Sequence, residues 1–83
     1  MKLGKISLKN AEFKRLVSLA IRKASNVNPD KLEILGYNIN EGFGYNSEHI
    51  VVNVKIGSDE CTVKICLSIN EGRIDRITYA EVV

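Results

Sequence analysis

The stretch HIVVNVKIGSDECTVKICLSI, residues 49–69, decides the fold of this chain. Apolar residues alternate with other residues over 49–56 and again over 61–69, which is the period of a strand with one covered face. The segment between them, Gly57-Ser58-Asp59-Glu60, is typical of a short hairpin connection. We therefore predict two antiparallel strands. The positions expected to face the core are Ile50, Val52, Val54, Ile56, Cys61, Val63, Ile65, Leu67 and Ile69.

Upstream, residues 10–26 have the period of an amphipathic helix rather than a strand. Asn10 is the predicted N-cap and Glu12 lies in the first turn, where the helix dipole favours an acid. Asn28-Pro29-Asp30 ends the helix, because proline disfavours helical geometry at the residue before it. The predicted apolar stripe consists of Phe13, Leu16, Val17, Ala20, Ile21 and Ala24.

The remaining segments favour further strands. Residues 32–39 place Leu35, Tyr37 and Ile39 on one face, and residues 3–8 add a short strand. Residues 74–82 allow a short helix, but their Thr, Tyr and Val content favours an edge strand. We predict an α+β fold in which one amphipathic helix packs on a three- to five-stranded, mainly antiparallel meander.

Length limits what this fold can enclose. The chain has 83 residues, of which 45% are hydrophobic, so residues 1–83 are predicted to form a single small α+β domain. A chain of this size buries only about 60–65% of its unfolded surface, and nearly every apolar residue is needed for the core. We therefore expect a binding protein without a catalytic cavity, rather than an enzyme.

The net charge of +2 conceals an uneven distribution. Residues 1–29 carry +6 and residues 30–83 carry −4. This polarity is typical of a solvated basic helix on an acidic sheet or of self-association, and it also suits a nucleic-acid-binding face. The candidate nucleic-acid contacts on the N-terminal arm and helix are Lys5, Lys9, Lys14, Arg15 and Arg22.

Cysteine usage and the N-terminal segment both favour the cytoplasm. Cys61 and Cys66 are five positions apart on one predicted strand; this odd offset points them to opposite faces, so they are poor disulfide partners. The first nine residues are basic and lack the continuous apolar run of a signal peptide. No stretch approaches the roughly 20 apolar residues of a membrane span.

The segment 40–47, NEGFGYNS, is the most distinctive part of the sequence. Its Gly-x-Gly lacks the third glycine and the following helix of a dinucleotide-binding turn. Two interpretations stay open: a loop that presents Phe43 and Tyr45 to a partner, or a hairpin loop whose aromatic rings fold back over the core. The candidate partner-binding residues are Gly42, Phe43, Gly44 and Tyr45.

The chain offers little for catalysis or for metal binding. His49 is the only histidine and is expected to be exposed on the face opposite the apolar one. Cys-x4-Cys with one distant histidine does not have the spacing of a zinc site. Four carboxylates lie in or beside predicted turns, where acids are usually solvated, and nothing encloses a pair for acid–base chemistry: Asp59, Glu60, Glu71 and Asp75. We expect no catalytic residues, no metal and no cofactor.

Several segments resemble the alkaline shock protein family of Gram-positive bacteria. They are Gly4-Lys5-Ile6-Ser7-Leu8 before an alanine-bearing helix, then Val52-Asn53-Val54-Lys55, and then residues 61–69 closed by Gly72. The resemblance implies a non-catalytic bacterial factor linked to envelope stress and recruited to the membrane through partners. The family continues into a longer C-terminal helix, whereas this sequence ends at Val83. The layout is also similar to PepSY-type modules, with residues 69–74 as the strand turn.

Together these observations predict a small non-enzymatic interaction or assembly module that binds a protein partner or forms a homo-oligomer. A small nucleic-acid-binding protein that uses the basic arm and helix face is the alternative.

Overall fold

The computed structural model describes residues 2–4, 6–40 and 46–83. The elements in chain order are β1 (Lys2–Leu3), β2 (Ile6–Ser7), α1 (Asn10–Ser25), β3 (Leu32–Asn40), β4 (Ser47–Ile56), β5 (Asp59–Asn70) and β6 (Arg73–Val82). Strands β3 to β6 form an antiparallel meander in the order β3-β4-β5-β6, and β1 pairs with β2 in a separate hairpin. Helix α1 packs on one face of the meander, which confirms the predicted α+β fold.

The N-cap of helix α1 lies one residue earlier than the sequence predicts. The N-cap is Lys9, not Asn10, and the Lys9 backbone N–H donates to the Glu12 carboxylate at 3.0 Å. The helix ends at Ser25, and Asn26 caps it in the left-handed conformation with φ 57°. Its Asn26 N–H donates to the Arg22 carbonyl at 2.9 Å. Five of the six predicted stripe residues are buried, whereas Ala24 in the last turn is exposed.

The hairpin predicted from residues 49–69 is confirmed, with longer strands and a shorter turn. Ile56 pairs with Asp59, so only Gly57 and Ser58 form the loop, with Gly57 at φ 64°. The next turn is equally tight, because Asn70 pairs with Arg73 across two residues. Both of these residues, Glu71 (φ 53°) and Gly72 (φ 74°), have the positive φ that this hairpin geometry requires.

Strand β3 contains a β-bulge that corrects the predicted facing of Leu35. Ile34 pairs with Val54 and Gly36 with Asn53, so Leu35 is an extra residue without a cross-strand partner in this ladder. Leu35 is exposed, whereas Tyr37 and Ile39 pack against the core as predicted. The bulge reverses the alternation along the strand. Before the bulge it is therefore the even-numbered residues Leu32 and Ile34 that face the core.

Strand β6 occupies the 73–82 segment, so the edge strand that the composition favoured is observed. Two residues of β6, Asp75 and Thr78, have no partner in the register with β5. Each of these bulges shifts the alternation by one residue. As a result, four residues of β6 pack against the core: Ile74, Ile77, Ala80 and Val82.

The core lies between α1 and the inner face of the sheet. Its fully buried members come mainly from the two central strands and the helix, and the hairpin β1–β2 adds Leu3 and Ile6. Among the described residues one charged side chain is buried with them, that of Glu48, which is only 6% exposed. Its carboxylate lies against Gly4 in the β1–β2 turn, where φ is 55°.

Candidate partner-binding surfaces

A groove runs between α1 and the turn that joins β5 to β6. It has a volume of about 510 Å³, within the range of small-molecule sites. One wall is the flank of α1, a second is the β2–α1 connection, and the third is the β5–β6 turn with Gly72. The apolar residues that line it are Ile6, Leu8, Leu16, Leu19 and Ile74.

Leu19 is the most exposed apolar side chain in this lining. It is 46% exposed, while its helix neighbour Leu16 is only 7% exposed. At roughly 100° per residue, Leu19 lies at the margin of the apolar stripe instead of at its centre. It therefore contributes to the surface of the groove more than to the core, and the predicted stripe did not include it.

Charged residues frame the apolar lining. Arg15 from α1 and Arg73 from β6 both line the groove and are exposed. The remaining charged lining residue is Glu12, whose carboxylate accepts the Lys9 N–H at the helix start. The groove thus combines an aliphatic lining with two cations, a combination suited to apolar segments that carry carboxylates.

Three of the basic residues proposed for nucleic-acid contact, Lys14, Arg15 and Arg22, lie on exposed positions of α1, and Lys9 caps the start of the helix. Lys9, Lys14, Arg15 and Arg22 are exposed, whereas Lys5 falls outside the described residues. Arg15 and Arg22 are seven residues apart, so they lie on one line along the helix, and Lys14 lies roughly 100° around from Arg15. The structure therefore places three cations on adjoining exposed faces of the same helix.

The aromatic loop proposed from the sequence connects β3 to β4. Gly42, Phe43, Gly44 and Tyr45 all lie outside the described residues. On its β4 side, the Asn46 carbonyl accepts the Ile69 N–H at 2.7 Å. This bond ties the end of the loop to strand β5.

The face of the sheet opposite α1 carries a row of three side chains, the half-buried His49 and Cys66 and the exposed Tyr79. His49 pairs with Cys66 on the next strand, and Cys66 pairs with Tyr79 on β6. His49 faces away from the core as predicted, but it is half-buried and not fully exposed. Burial raises the pKa of the Cys66 thiol, which keeps it protonated and poorly nucleophilic.

Tyr79 is held by an acid on its own strand. Its hydroxyl donates to the Glu81 carboxylate at 2.6 Å, and this hydrogen bond is the main reason why the pKa of Tyr79 is raised. Cys61 packs toward the core while Cys66 lies on the second face, so the predicted separation of the two thiols is confirmed. Both cysteines are free.

Within residues 2–4, 6–40 and 46–83, no group of three or more His, Cys, Asp or Glu side chains is placed to hold a metal ion. In the same residues no helix has the length and apolar character needed to cross a bilayer.

Comparison with known proteins found no match for this chain among protein-family models, curated proteins or solved structures. The similarity to alkaline shock proteins and to PepSY modules therefore stays a prediction.

Proposed function

We propose that this protein is a non-enzymatic interaction module, and that its groove binds an apolar segment of a partner protein that also carries carboxylates. The observation that carries this proposal is the groove of about 510 Å³, in which aliphatic side chains are framed by Arg15 and Arg73. Aliphatic contacts supply burial and the two guanidinium groups supply orientation, because arginine pairs with carboxylates in a fixed geometry.

The character of the groove lining favours binding over chemistry. Guanidinium groups only donate hydrogen bonds, and their planar geometry matches a carboxylate, so they suit recognition. Of the described residues that line the groove, Glu12 is the one with a carboxylate, and it is engaged at the helix N-terminus. These groups can recognise and hold a ligand, which is the role that we assign to the groove.

The cellular setting is proposed from the sequence and does not rest on the groove. A role in envelope stress and a cytoplasmic location follow from the similarity to alkaline shock proteins and from the cysteine usage. The groove proposal does not depend on either.

Photo-crosslinking from the groove tests this function. A benzoylphenylalanine at position 19 should capture a specific partner, and the same probe at Val27 should not. Both wild-type side chains are exposed, at 46% and 52%, so neither substitution opens the core. The captured protein is then purified and its affinity measured by calorimetry.

We expect Leu19→Glu to weaken this binding at least tenfold, about 1.4 kcal/mol, because it places a carboxylate in the aliphatic lining. Val27→Glu should change the affinity less than twofold. Equal binding by the wild type and Leu19→Glu would refute the groove as the site, and so would the absence of a crosslink specific to position 19.

A second function is favoured by one observation, the exposed cations on the solvent side of α1. In this alternative Lys14, Arg15 and Arg22 contact the phosphates of a nucleic acid. Binding to DNA or RNA should then fall steeply with salt and weaken in Lys14→Glu and Arg22→Glu. Lys55→Glu, at an exposed position on the sheet, is the matched control. Loss of all retention on nucleic-acid columns at physiological salt excludes this alternative.

A further inference from the structure

Strand β3 is an edge of the sheet; its charged residue, Glu33, lies before the bulge at Leu35, and after the bulge no charge opposes pairing with another strand. It has β4 on one side, and within the described residues no strand lies on the other. Residues 34–40, ILGYNIN, contain no charged side chain and no proline. An edge strand leaves alternate backbone N–H and C=O groups without strand partners, and such a row is a template for another strand.

The opposite edge of the sheet is protected. Strand β6 has two bulges, at Asp75 and Thr78, which interrupt its regular ladder. It also carries four charged residues: Arg73, Asp75, Arg76 and Glu81. Bulges and charges are the means by which proteins prevent edge-to-edge pairing, so the two edges of this sheet differ in their capacity to pair.

We propose that β3 pairs antiparallel with β3 of a second copy of this chain, with the two-fold axis at Asn38. The bulge at Leu35 divides β3 into two regular parts, residues 32–34 and residues 36–40, and the second, longer part is the uncharged one. In this register Asn38 faces Asn38 of the second copy, Tyr37 faces Ile39, and Gly36 faces Asn40. The interface is isologous, as in most homodimers.

The side chains of β3 suit this register. Tyr37 packs its ring edge-on against Phe13, with the centroids 5.1 Å apart, so it is held toward the helix side of the sheet. Ile39 packs against the core on the same side. Pairing therefore places an aromatic ring beside a β-branched residue twice, a favourable cross-strand combination. On the other face the exposed Asn38 residues meet without charge repulsion.

The dimer leaves the groove accessible. The groove lies beside the β5–β6 turn, at the opposite edge of the sheet from β3. The product is an eight-stranded sheet with both α1 helices on one face, and each copy retains its own groove. Self-association through β3 and partner binding in the groove are therefore independent, and each can fail without the other.

Sedimentation equilibrium over a concentration series measures the association. The wild type should approach twice the 9.3 kDa mass of one chain as concentration rises. Asn38→Lys brings two ammonium groups together at the axis and should weaken the dimer about tenfold. Asn53→Lys is the matched control, because it makes the same change at an exposed position on the neighbouring strand β4 and should leave the dimer unchanged.

Disulfide trapping tests the register in a chain where Cys61 and Cys66 are replaced by alanine. Directly opposite residues have Cα atoms roughly 4.5–5.5 Å apart, within the range of a disulfide. Asn38→Cys should therefore form a covalent dimer under mild oxidation. In Asn40→Cys the two thiols are displaced by four residues, roughly 13 Å, and should stay reduced.

A wild type that is monomeric at all concentrations overturns the proposal. Equal dimerisation of the wild type and Asn38→Lys also overturns it, because the association then uses another surface. Equal crosslinking at positions 38 and 40 overturns the register and indicates random collision.

Discussion

A β-carbon on Gly4 would lie 2.5 Å from Oε1 of Glu48. This carboxylate is buried under the β1–β2 turn and is not free to move as a surface side chain is. Gly4 also has φ 55°, which is costly for any residue with a side chain. The close packing of the β1–β2 hairpin on the buried Glu48 carboxylate therefore requires a residue without a side chain at position 4.

We predict that Gly4→Ala lowers the free energy of unfolding by about 2 kcal/mol, since it adds both strain and a clash. Gly36→Ala is the control, because Gly36 has no heavy atom within 4 Å of an added β-carbon. It should be neutral or stabilising by up to about 1 kcal/mol. Urea denaturation measures both changes. Equal stabilities of the two variants would contradict the packing of Gly4 on Glu48.

The pair Tyr79–Glu81 predicts a specific pH dependence. The hydrogen bond to Glu81 and the negative charge of its carboxylate raise the pKa of Tyr79 above its ordinary value of 10.0. A raised pKa in the folded state means that the contribution to stability is present below pH 10 and is lost as the pH rises through the folded pKa. In Glu81→Gln the pKa of Tyr79 should fall toward the ordinary value. Ultraviolet titration of tyrosinate, with Tyr79→Phe as the reference, measures it; an unchanged titration contradicts this assignment.

At the scale of the element, strand regularity decided which predictions succeeded. Strands β4 and β5 pair over ten residues without a register shift, so their period of two is visible in the sequence and their core residues were predicted correctly. Strand β3 has one bulge, and the prediction failed there at Leu35. A bulge depends on pairing with the neighbouring strand, which a local alternation pattern does not reveal.

Strand β6 shows the same effect more strongly. Its core-facing residues Ile74, Ile77 and Ala80 are three apart, because each bulge adds one residue to the strand period of two. A spacing of three also suits a helix, which explains why a short helix was a competing interpretation of residues 74–82. The β propensity of its residues does not depend on which face each side chain occupies, and it favoured the strand that is observed.

The bulge at Thr78 places Ile77 and Tyr79 on opposite faces, although strict alternation would put them on the same face. Ile77→Asn should therefore lower the free energy of unfolding by about 1–2 kcal/mol, because it puts an amide against the core. Tyr79→Asn, at an exposed side chain, should stay within about 0.5 kcal/mol of the wild type. Urea denaturation of the two variants checks this difference. Equal destabilisation would contradict the bulge at Thr78.

At the scale of the whole molecule, the fold separates the basic and acidic residues in space. Helix α1 carries four exposed basic residues, Lys14, Arg15, Arg22 and Lys23, and most acids lie on the strands and their turns. The sequence revealed this polarity but not the groove, because its walls come from three segments that are distant in the chain. Arg73 becomes a neighbour of Arg15 in the lining only through the packing of β6 beside the helix. A site assembled by tertiary structure leaves no local sequence signal.

The same packing predicts that the molecule unfolds as one unit. The helix, the hairpin β1–β2 and the sheet share a single core, and Ile65 is fully buried within it. Ile65→Ala should lower the free energy of unfolding by about 2–5 kcal/mol through lost burial and the cavity left behind. Because there is one core, circular dichroism and tyrosine fluorescence should report the same urea midpoint in the wild type and the same shift in the variant. A sheet transition that persists after the helix signal is lost would contradict a shared core, since the buried face of α1 can be covered only by the strands beneath it.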